Sequence, residues 1–217
     1  MTQATLQEEK KLWKKGYNKV CCLDEAGRGP LAGPVTAAAV VYRLPMSVKF
    51  TDIGSLSAFS GIRDSKKLSP KKRERFYKIL TNHPAIKWGI GIVSEKIIDK
   101  INILEATKLA MKKALEKLKA DYLILDGKME LDLPISQKSI VKADEKVFSC
   151  AAASIIAKVT RDRIMARYHK KYPQYGFDRH RGYPTKHHYQ MIRKYGPCQI
   201  HRKSFNIQIY GRSTKTT

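Results

Sequence analysis

Acidic residues are scarce in this 217-residue chain: 19 Asp and Glu face 43 Lys and Arg, a formal charge of +24. A surface this positive repels itself and needs a polyanion to offset it, and nucleic acid is the usual one. Long apolar runs are missing too. No stretch approaches the ~18 residues that mark a membrane span, and no basic amphipathic anchor stands out, so no membrane partner is expected. There are four cysteines, Cys21, Cys22, Cys150 and Cys198, and no CxxC pair. That argues against a disulfide framework or a zinc site and for reduced, buried thiols. The opening residues, MTQATLQEEKKLWKKG, carry acids and lack the apolar segment of a signal peptide, which leaves the cytoplasm as the expected location.

Periodicity gives a coarse element order. Residues 1–17 read as a polar helical lead-in. Asn18–Leu23 and Val35–Tyr42 are strand-like and are joined by a Gly/Pro-rich turn over 27–34. Little periodicity marks 43–63, which reads as a loop, and the stretch 46–60 receives no role. Ser69-Pro70 joins a good N-cap to a residue suited to the first helical position, so a basic helix starts there. Ala85–Val93 alternates like a strand. A helix is expected from about Asn102 to Lys119, with Leu104, Met111, Leu115 and Leu118 on one stripe. Asp121–Leu125 is a strand ending in Asp126-Gly127, and Ser139–Val141 suggests another. Asp144 is placed to cap a long helix reaching Tyr168, with Phe148, Ala151, Ile155 and Val159 on its buried face. Thr185 can cap a last helix to about Tyr195. The chain is therefore read as α/β: a lead-in (1–17), a core (18–170), a basic helical C-terminal segment (171–210) and a mobile tail (211–217).

In so basic a protein the positions of the acids carry information. Asp24 and Asp126 each close an apolar strand, and a carboxylate at a buried strand end must be paired, hydrogen-bonded or metal-bound. Ligand sites of α/β sheets commonly lie beyond the carboxyl ends of the strands. Converging carboxylates repel one another unless cations neutralise them, and oxygen-only ligands favour Mg²⁺ or Mn²⁺ over zinc. The matching chemistry is phosphodiester hydrolysis with a pair of ions. The competing reading makes Asp24 a cap of the glycine turn and Asp126 a β-turn residue. Glu25 follows Asp24 directly, so in a regular strand it points to the opposite face; sharing one site requires a bend, a backbone carbonyl or a water. Asp162 is expected to pair with Arg161, Arg163 or a neighbouring segment, and Glu105, Glu116 and Asp121 read as surface charges.

Several blocks then carry a resemblance. Asp24-Glu25-Ala26-Gly27-Arg28-Gly29-Pro30-Leu31-Ala32-Gly33-Pro34-Val35 resembles the opening motif of the type 2 ribonucleases H, the RNase HII family. The likeness continues in Asp64-Ser65-Lys66-Lys67-Leu68-Ser69, Asp126-Gly127, Lys142-Ala143-Asp144, the run from Ala151 to Asp162, Gly182-Tyr183-Pro184-Thr185 and His201-Arg202-Lys203-Ser204-Phe205. The blocks stand in family order over about residues 19–206. The resemblance implies a ribonuclease H-like fold, a mixed β-sheet flanked by helices with a helical C-terminal segment. It implies metal ligation and catalysis by Asp24, Glu25, Asp126 and Asp144, and a structural role for Asp162. The implied activity is cleavage of the RNA strand of RNA–DNA hybrids, and cutting 5′ of ribonucleotides embedded in duplex DNA, in ribonucleotide excision repair. Products carry 3′-hydroxyl and 5′-phosphate ends.

The substrate-binding residues implied are Gly27, Arg28, Gly29, Lys66, Tyr183 and Thr185, with the Gly-Arg-Gly turn at the RNA–DNA junction and Tyr183 packing on the deoxy side. Glycines allow close backbone approach, and aromatic stacking on a base contributes ~1–3 kcal/mol. Lys66, Lys67, Lys71, Lys72, Arg73, Lys158, Lys186 and Arg202 are candidate phosphate contacts. His180, His187, His188 and His201 lack metal-ligand spacing and read as polar packing or phosphate neighbours. Cys22 stands where the family often has a small Gly. The Arg of the turn and the short lead-in favour type 2 over the sister RNase HIII family. A monomer is expected. A non-catalytic nucleic-acid-binding protein is the alternative from another class.

Overall fold

The computed structural model describes residues 4–43, 59–62 and 64–205. The stretch 46–60, apart from Phe59 and Ser60, and the tail 211–217 lie outside the described residues. Strand β1 (Val20–Ala26) pairs antiparallel with β2 (Val35–Tyr42), and β2 with β3 (Ile86–Val93). On its other side β1 runs parallel to β4 (Tyr122–Asp126), and β4 to β5 (Ser136–Ile140), giving the order β3-β2-β1-β4-β5. All eight residues of β2 are buried, so both faces of the sheet are covered at its centre. Helix α1 (Gln7–Lys14) precedes the sheet. Helices α2 (Pro70–Asn82), α3 (Glu95–Leu115), α4 (Ala143–Lys146), α5 (Phe148–Lys171), α6 (Phe177–His180) and α7 (Lys186–Tyr195) follow in chain order.

Alanine-rich α5 lies on one face, where Ala151, Ala152, Ile155 and Ile156 join Ala38 and Val40; Phe76 and Leu80 of α2 complete that core. Helix α3 covers the other face with Ala106, Ala110, Met111 and Ala114 against Cys21, Leu23, Ala37 and Ala39. A Cβ at Gly91 would overlap the Ala110 carbonyl, so the missing side chain is what lets α3 lie directly on β3.

Several boundaries differ from expectation: β5 begins at Ser136, ahead of the expected Ser139, α3 ends at Leu115 instead of Lys119, and three further differences have a local reason. Helix α3 begins already at Glu95, so a helical segment precedes the one that starts at Asn102 as expected. Asn102 breaks it (φ 65°, ψ 170°) and restarts it, because its Oδ1 accepts the Leu104 and Glu105 amides at 2.9 and 3.1 Å. Leu104, in the first turn after the break, is exposed, while Met111 and Leu115 further along the same stretch are buried. Strand β1 starts at Val20, because the Asp121 carboxylate takes the Asn18 and Lys19 amides at 2.7 and 2.9 Å; Asp121 is thus more than a surface charge. Asp144 does not cap the long helix. It lies inside α4, and extended Val147 (φ −111°, ψ 121°) separates α4 from α5.

The cap of α5 comes from the N-terminal lead-in instead. The Thr5 carbonyl accepts the Phe148 amide at 2.9 Å, and the buried Glu9 carboxylate accepts the Ser149 amide at 3.0 Å. Two amides that a helix start leaves without partners are thereby satisfied. After α5, Tyr175, Phe177, Ile192 and Ile200 form a small core with Leu31, Ala32 and Met165. Thr185 caps α7 as expected, accepting the His188 amide. All four cysteines are free thiols; Cys21, Cys22 and Cys150 are buried, but Cys198 is only partly so. Among the described residues no helix is long and apolar enough to cross a membrane.

Candidate metal centre and nucleic-acid interface

Leu23 and Leu125 face each other in the parallel β1–β4 ladder, so Asp24 and Asp126, one residue on, emerge side by side. Asp144 reaches the same point from α4. One carboxylate oxygen from each of the three lies within 4.8 Å of the others. Asp24 and Asp144 are buried. Burial, then the charges of Glu25 and Asp126, push the Asp24 carboxyl well above the usual range. Burial, then Asp126 and Asp64, push Asp144 up to about 7. The donors are all carboxylate oxygens, which fits a hard divalent cation whose charge would relieve this repulsion.

Glu25 stands apart from the three. Strand β1 stays regular through Ala26, pairing Asp24 with Ala38 and Glu25 with Ala37, so the pleat turns the two acids to opposite faces. The bend comes later, at Gly27 (φ +100°). One Glu25 oxygen meets Arg28 Nη1 at 3.4 Å, and the other is buried with no hydrogen-bond partner among the described residues. Burial raises its pKa, Arg28 opposes the rise and Asp126 adds to it, so Glu25 still borders the cluster.

The loop before α2 adds residues that motif reading did not place at the centre. Buried Asp64 sits against Asp144 and accepts the Lys66 amide at 2.9 Å. The Ser65 and Ser154 hydroxyls lie 2.9 Å apart, tying the loop to helix α5, and Ser154 opposes the upward shift of the Asp24 carboxyl. An acid beside two lysines in an acid-poor chain was the available signal for Asp64. Burial pulls the Lys66 pKa down, but Asp64, Asp144, Asp24 and Asp126 outweigh it, and the net shift is upward. Of the expected phosphate contacts, Lys71, Lys72 and Lys186 are exposed. Lys67 pairs with Glu145 at 2.9 Å and Lys158 with Asp162 at 2.7 Å. Arg73 donates to the Ser65 and Leu68 carbonyls and so builds the loop. Asp162 also reaches Arg181 at 3.9 Å, so its partners are Lys158 and Arg181, not the adjacent arginines.

Arg202 corrects an expectation outright. It is fully buried, and its guanidinium donates to the carbonyls of Gly33 (2.9 Å), Arg28 (2.9 Å) and Gly27 (2.6 Å). Arg161, equally buried, donates to Pro34 (2.9 Å), Arg181 (3.0 Å) and Ala32 (3.1 Å). Neither arginine is available to a phosphate. A Cβ at Gly27 would overlap Arg161 Nε, so the first glycine of the turn is required by this packing as well as by its positive φ. Beside the loop, Tyr183 is 40% exposed, and its Cε1 lies 3.9 Å from where a Gly29 Cβ would be. The Thr185 hydroxyl is engaged in its cap.

The histidines pack beneath Tyr183. The Cys198 amide donates to His201 Nδ1 at 2.9 Å, so neutral His201 carries its proton on Nε2 and donates it to His188 Nε2 at 3.1 Å. His188 Nδ1–H then donates to the Tyr183 carbonyl at 2.9 Å. Burial lowers the two pKa values to about 3 for His188 and about 4 for His201. With His180 stacked on His188 at 4.4 Å, this is polar packing.

A mixed five-stranded sheet with helices on both faces, and acids at the ends of adjacent parallel strands, is a ribonuclease H-like α/β protein with a centre suited to a divalent metal. Within that class the profile of the Ribonuclease HII family matches residues 22–208, and the chain belongs to this family. It is 53% identical over 199 residues to Ribonuclease HII of Acetivibrio thermocellus, covering 91% of this chain and 73% of the relative. It is 46% identical over 211 residues to Ribonuclease HII of Chlamydia trachomatis serovar L2, covering 94% and 92%. The crystal structure of ribonuclease H2 from Pyrococcus horikoshii OT3 superposes with a TM-score of 0.67 at 29% identity, over 87% of this chain and 94% of that one. The structure of Bst-RNase HIII in complex with Mn²⁺ shares the fold, with a TM-score of 0.60 at 18% identity over 82% of this chain and 63% of that one.

Proposed function

We propose that the protein is an endonuclease that hydrolyses the RNA strand of RNA–DNA hybrids and cuts 5′ of ribonucleotides embedded in duplex DNA, leaving 3′-hydroxyl and 5′-phosphate ends. The observation that carries this reading is the convergence of Asp24, Asp126 and Asp144 oxygens within 4.8 Å on a strongly basic protein of the Ribonuclease HII family. In this reading Asp24, Asp126 and Asp144 hold two divalent ions, Mg²⁺ or Mn²⁺, with Glu25 contributing from the rim through its unpartnered oxygen. Such ions supply activation of the attacking water and stabilisation of the leaving oxygen.

The chain's own groups do the rest. Lys66 offers an ammonium beside the acids for the substrate phosphate. Gly27, Arg28 and Gly29 present backbone to the sugar, whose 2′-hydroxyl is what separates RNA from DNA. Tyr183 offers its exposed face to the neighbouring deoxynucleotide, and Thr185 fixes the start of α7 beside it. Residues 18–170 form the catalytic core in this proposal, and the basic segment from 171 completes the nucleic-acid face. The enzyme works as a monomer in the cytoplasm, where its free thiols stay reduced, nicking DNA at embedded ribonucleotides as the first step of their excision.

One gel tests this. A duplex with a single embedded ribonucleotide and a continuous RNA–DNA hybrid are each incubated with Mg²⁺, Mn²⁺ or EDTA. Metal-dependent cutting of both is expected. Weak cutting of the single ribonucleotide alone points to RNase HIII-like behaviour, and salt-sensitive binding with no cutting points to a binding protein.

A further inference from the structure

We propose that Arg161 and Arg202 are positioning residues for ribonucleotide discrimination: together they fix loop 27–34 with its carbonyls turned inward and the Arg28 and Gly29 amides outward. The proposal rests on the endonuclease reading above. Six carbonyls, those of Gly27, Arg28, Ala32, Gly33, Pro34 and Arg181, are held by two guanidinium groups. Neither guanidinium forms an ion pair among the described residues, where the arginine pairs involve Arg28, Arg163 and Arg181. Burial draws their pKa values down to about 10 and 9, so both remain charged at neutral pH.

Taking two such cations out of water costs several kcal/mol each, offset by the six hydrogen bonds and, at longer range, by Asp162 for Arg161 and by Asp99 and Glu95 for Arg202. Those hydrogen bonds hold the loop in one conformation. What a guanidinium provides, and a lysine or an apolar residue does not, is a rigid planar fork that orients several carbonyls at once. With those carbonyls drawn in, the Arg28 and Gly29 amides find no acceptor among the described residues. Outward amides over two buried cations favour an electron-rich oxygen at that surface. The face lies beside Tyr183, and Arg161 Cζ is 5.9 Å from the centre of that ring. Loop, ring and buried charge thus form one unit.

A continuous hybrid offers a 2′-hydroxyl at every step and many phosphates, which dilutes a defect in this loop. A lone ribonucleotide offers one 2′-hydroxyl and depends on it. Arg202→Lys and Arg161→Lys keep a buried cation but lose the fork. Steady-state kcat/KM is measured on both substrates, with melting temperature recorded alongside. Activity on the embedded ribonucleotide is expected to fall at least ~10-fold further than activity on the continuous hybrid. Equal loss on both substrates overturns the proposal. If a lysine variant fails to fold, amide NMR of the wild-type chain decides. The Arg28 and Gly29 resonances are expected to shift and gain exchange protection with a ribonucleotide-containing duplex but not with the same all-DNA duplex; an identical response to both overturns the role. A wild-type chain that leaves the embedded ribonucleotide uncut overturns the endonuclease reading itself, a result distinct from either.

Discussion

Asp126 Oδ1 accepts the Ala143 amide at 2.7 Å, so the end of β4 fastens the residue beside Asp144. The same side chain serves the architecture and offers a carboxylate oxygen to the acidic cluster. The two functions separate by mutation. Asp126→Asn keeps an acceptor for Ala143 but removes the charge, so it is expected to fold, to gain stability without metal and to lose cleavage by on the order of a hundredfold or more. Asp126→Ala loses both and should also melt earlier. Thermal melts and single-turnover assays on the pair check this; equal melting of the two variants would show that the hydrogen bond contributes nothing.

Asp24 and Asp144 have carboxyl pKa values above their unfolded ones, Asp144 near 7. Groups raised in this way stabilise most below their unfolded pKa and lose that contribution as pH rises through the folded one. The melting temperature without metal should therefore carry a component that falls between about pH 4 and 8. Asp24→Asn should reduce that component. Saturating Mg²⁺ should cancel it and release protons on binding, a release that calorimetry in buffers of different ionisation heat would detect. Proton-neutral binding at pH 6 contradicts the expectation.

Gly27→Ala places a Cβ into Arg161 at a backbone of φ +100°. A cost of more than ~2 kcal/mol is expected from strain and overlap together. Urea denaturation measures it, and a neutral effect would mean that the loop is looser than its hydrogen bonds imply.

His188 and His201 should remain neutral down to about pH 5, with protons on Nδ1 and Nε2 respectively. Two-dimensional ¹H–¹⁵N spectra of the imidazoles read both tautomer and charge. A charge change near pH 6.5 at either ring contradicts the assignment. The sign for stability is opposite to that of the acids: the folded pKa values lie below the unfolded value, so this contribution is present above about 6.5 and fades as pH falls.

Glu9 is buried, and burial lifts its carboxyl to about 7. Glu9→Gln keeps an acceptor for the Ser149 amide and removes the cost of ionising in place. It should raise the melting temperature at pH 8.5 and change it little at pH 5. Destabilisation at both pH values would mean that the charge itself is needed at the start of α5.

The sequence makes some residues legible and hides others for physical reasons. Asp24 and Asp126 stand out because a charged residue closing an apolar run announces a strand end, and adjacent parallel strands then bring the two together. Asp144 carries no such mark; its place depends on the break at Val147, which local propensity does not reveal. Arg202 reads as one more cation in a basic chain, because charge is visible in sequence and burial is not. Its carbonyl partners are some 170 residues away. Asn102 hides the helical segment before it by breaking the helix. Glu9 passes for a surface acid because its helix mixes charges of both signs and its partner belongs to another element.

The reach of Arg202 across the chain has a consequence for synthesis. Ribosomes add ~5–20 residues per second, and segments fold as they emerge. The sheet with its acids is complete once α5 is made, yet loop 27–34 keeps open valences until residue 202 clears the exit tunnel. A nascent chain thus carries its acidic centre for several seconds before the loop above it is locked.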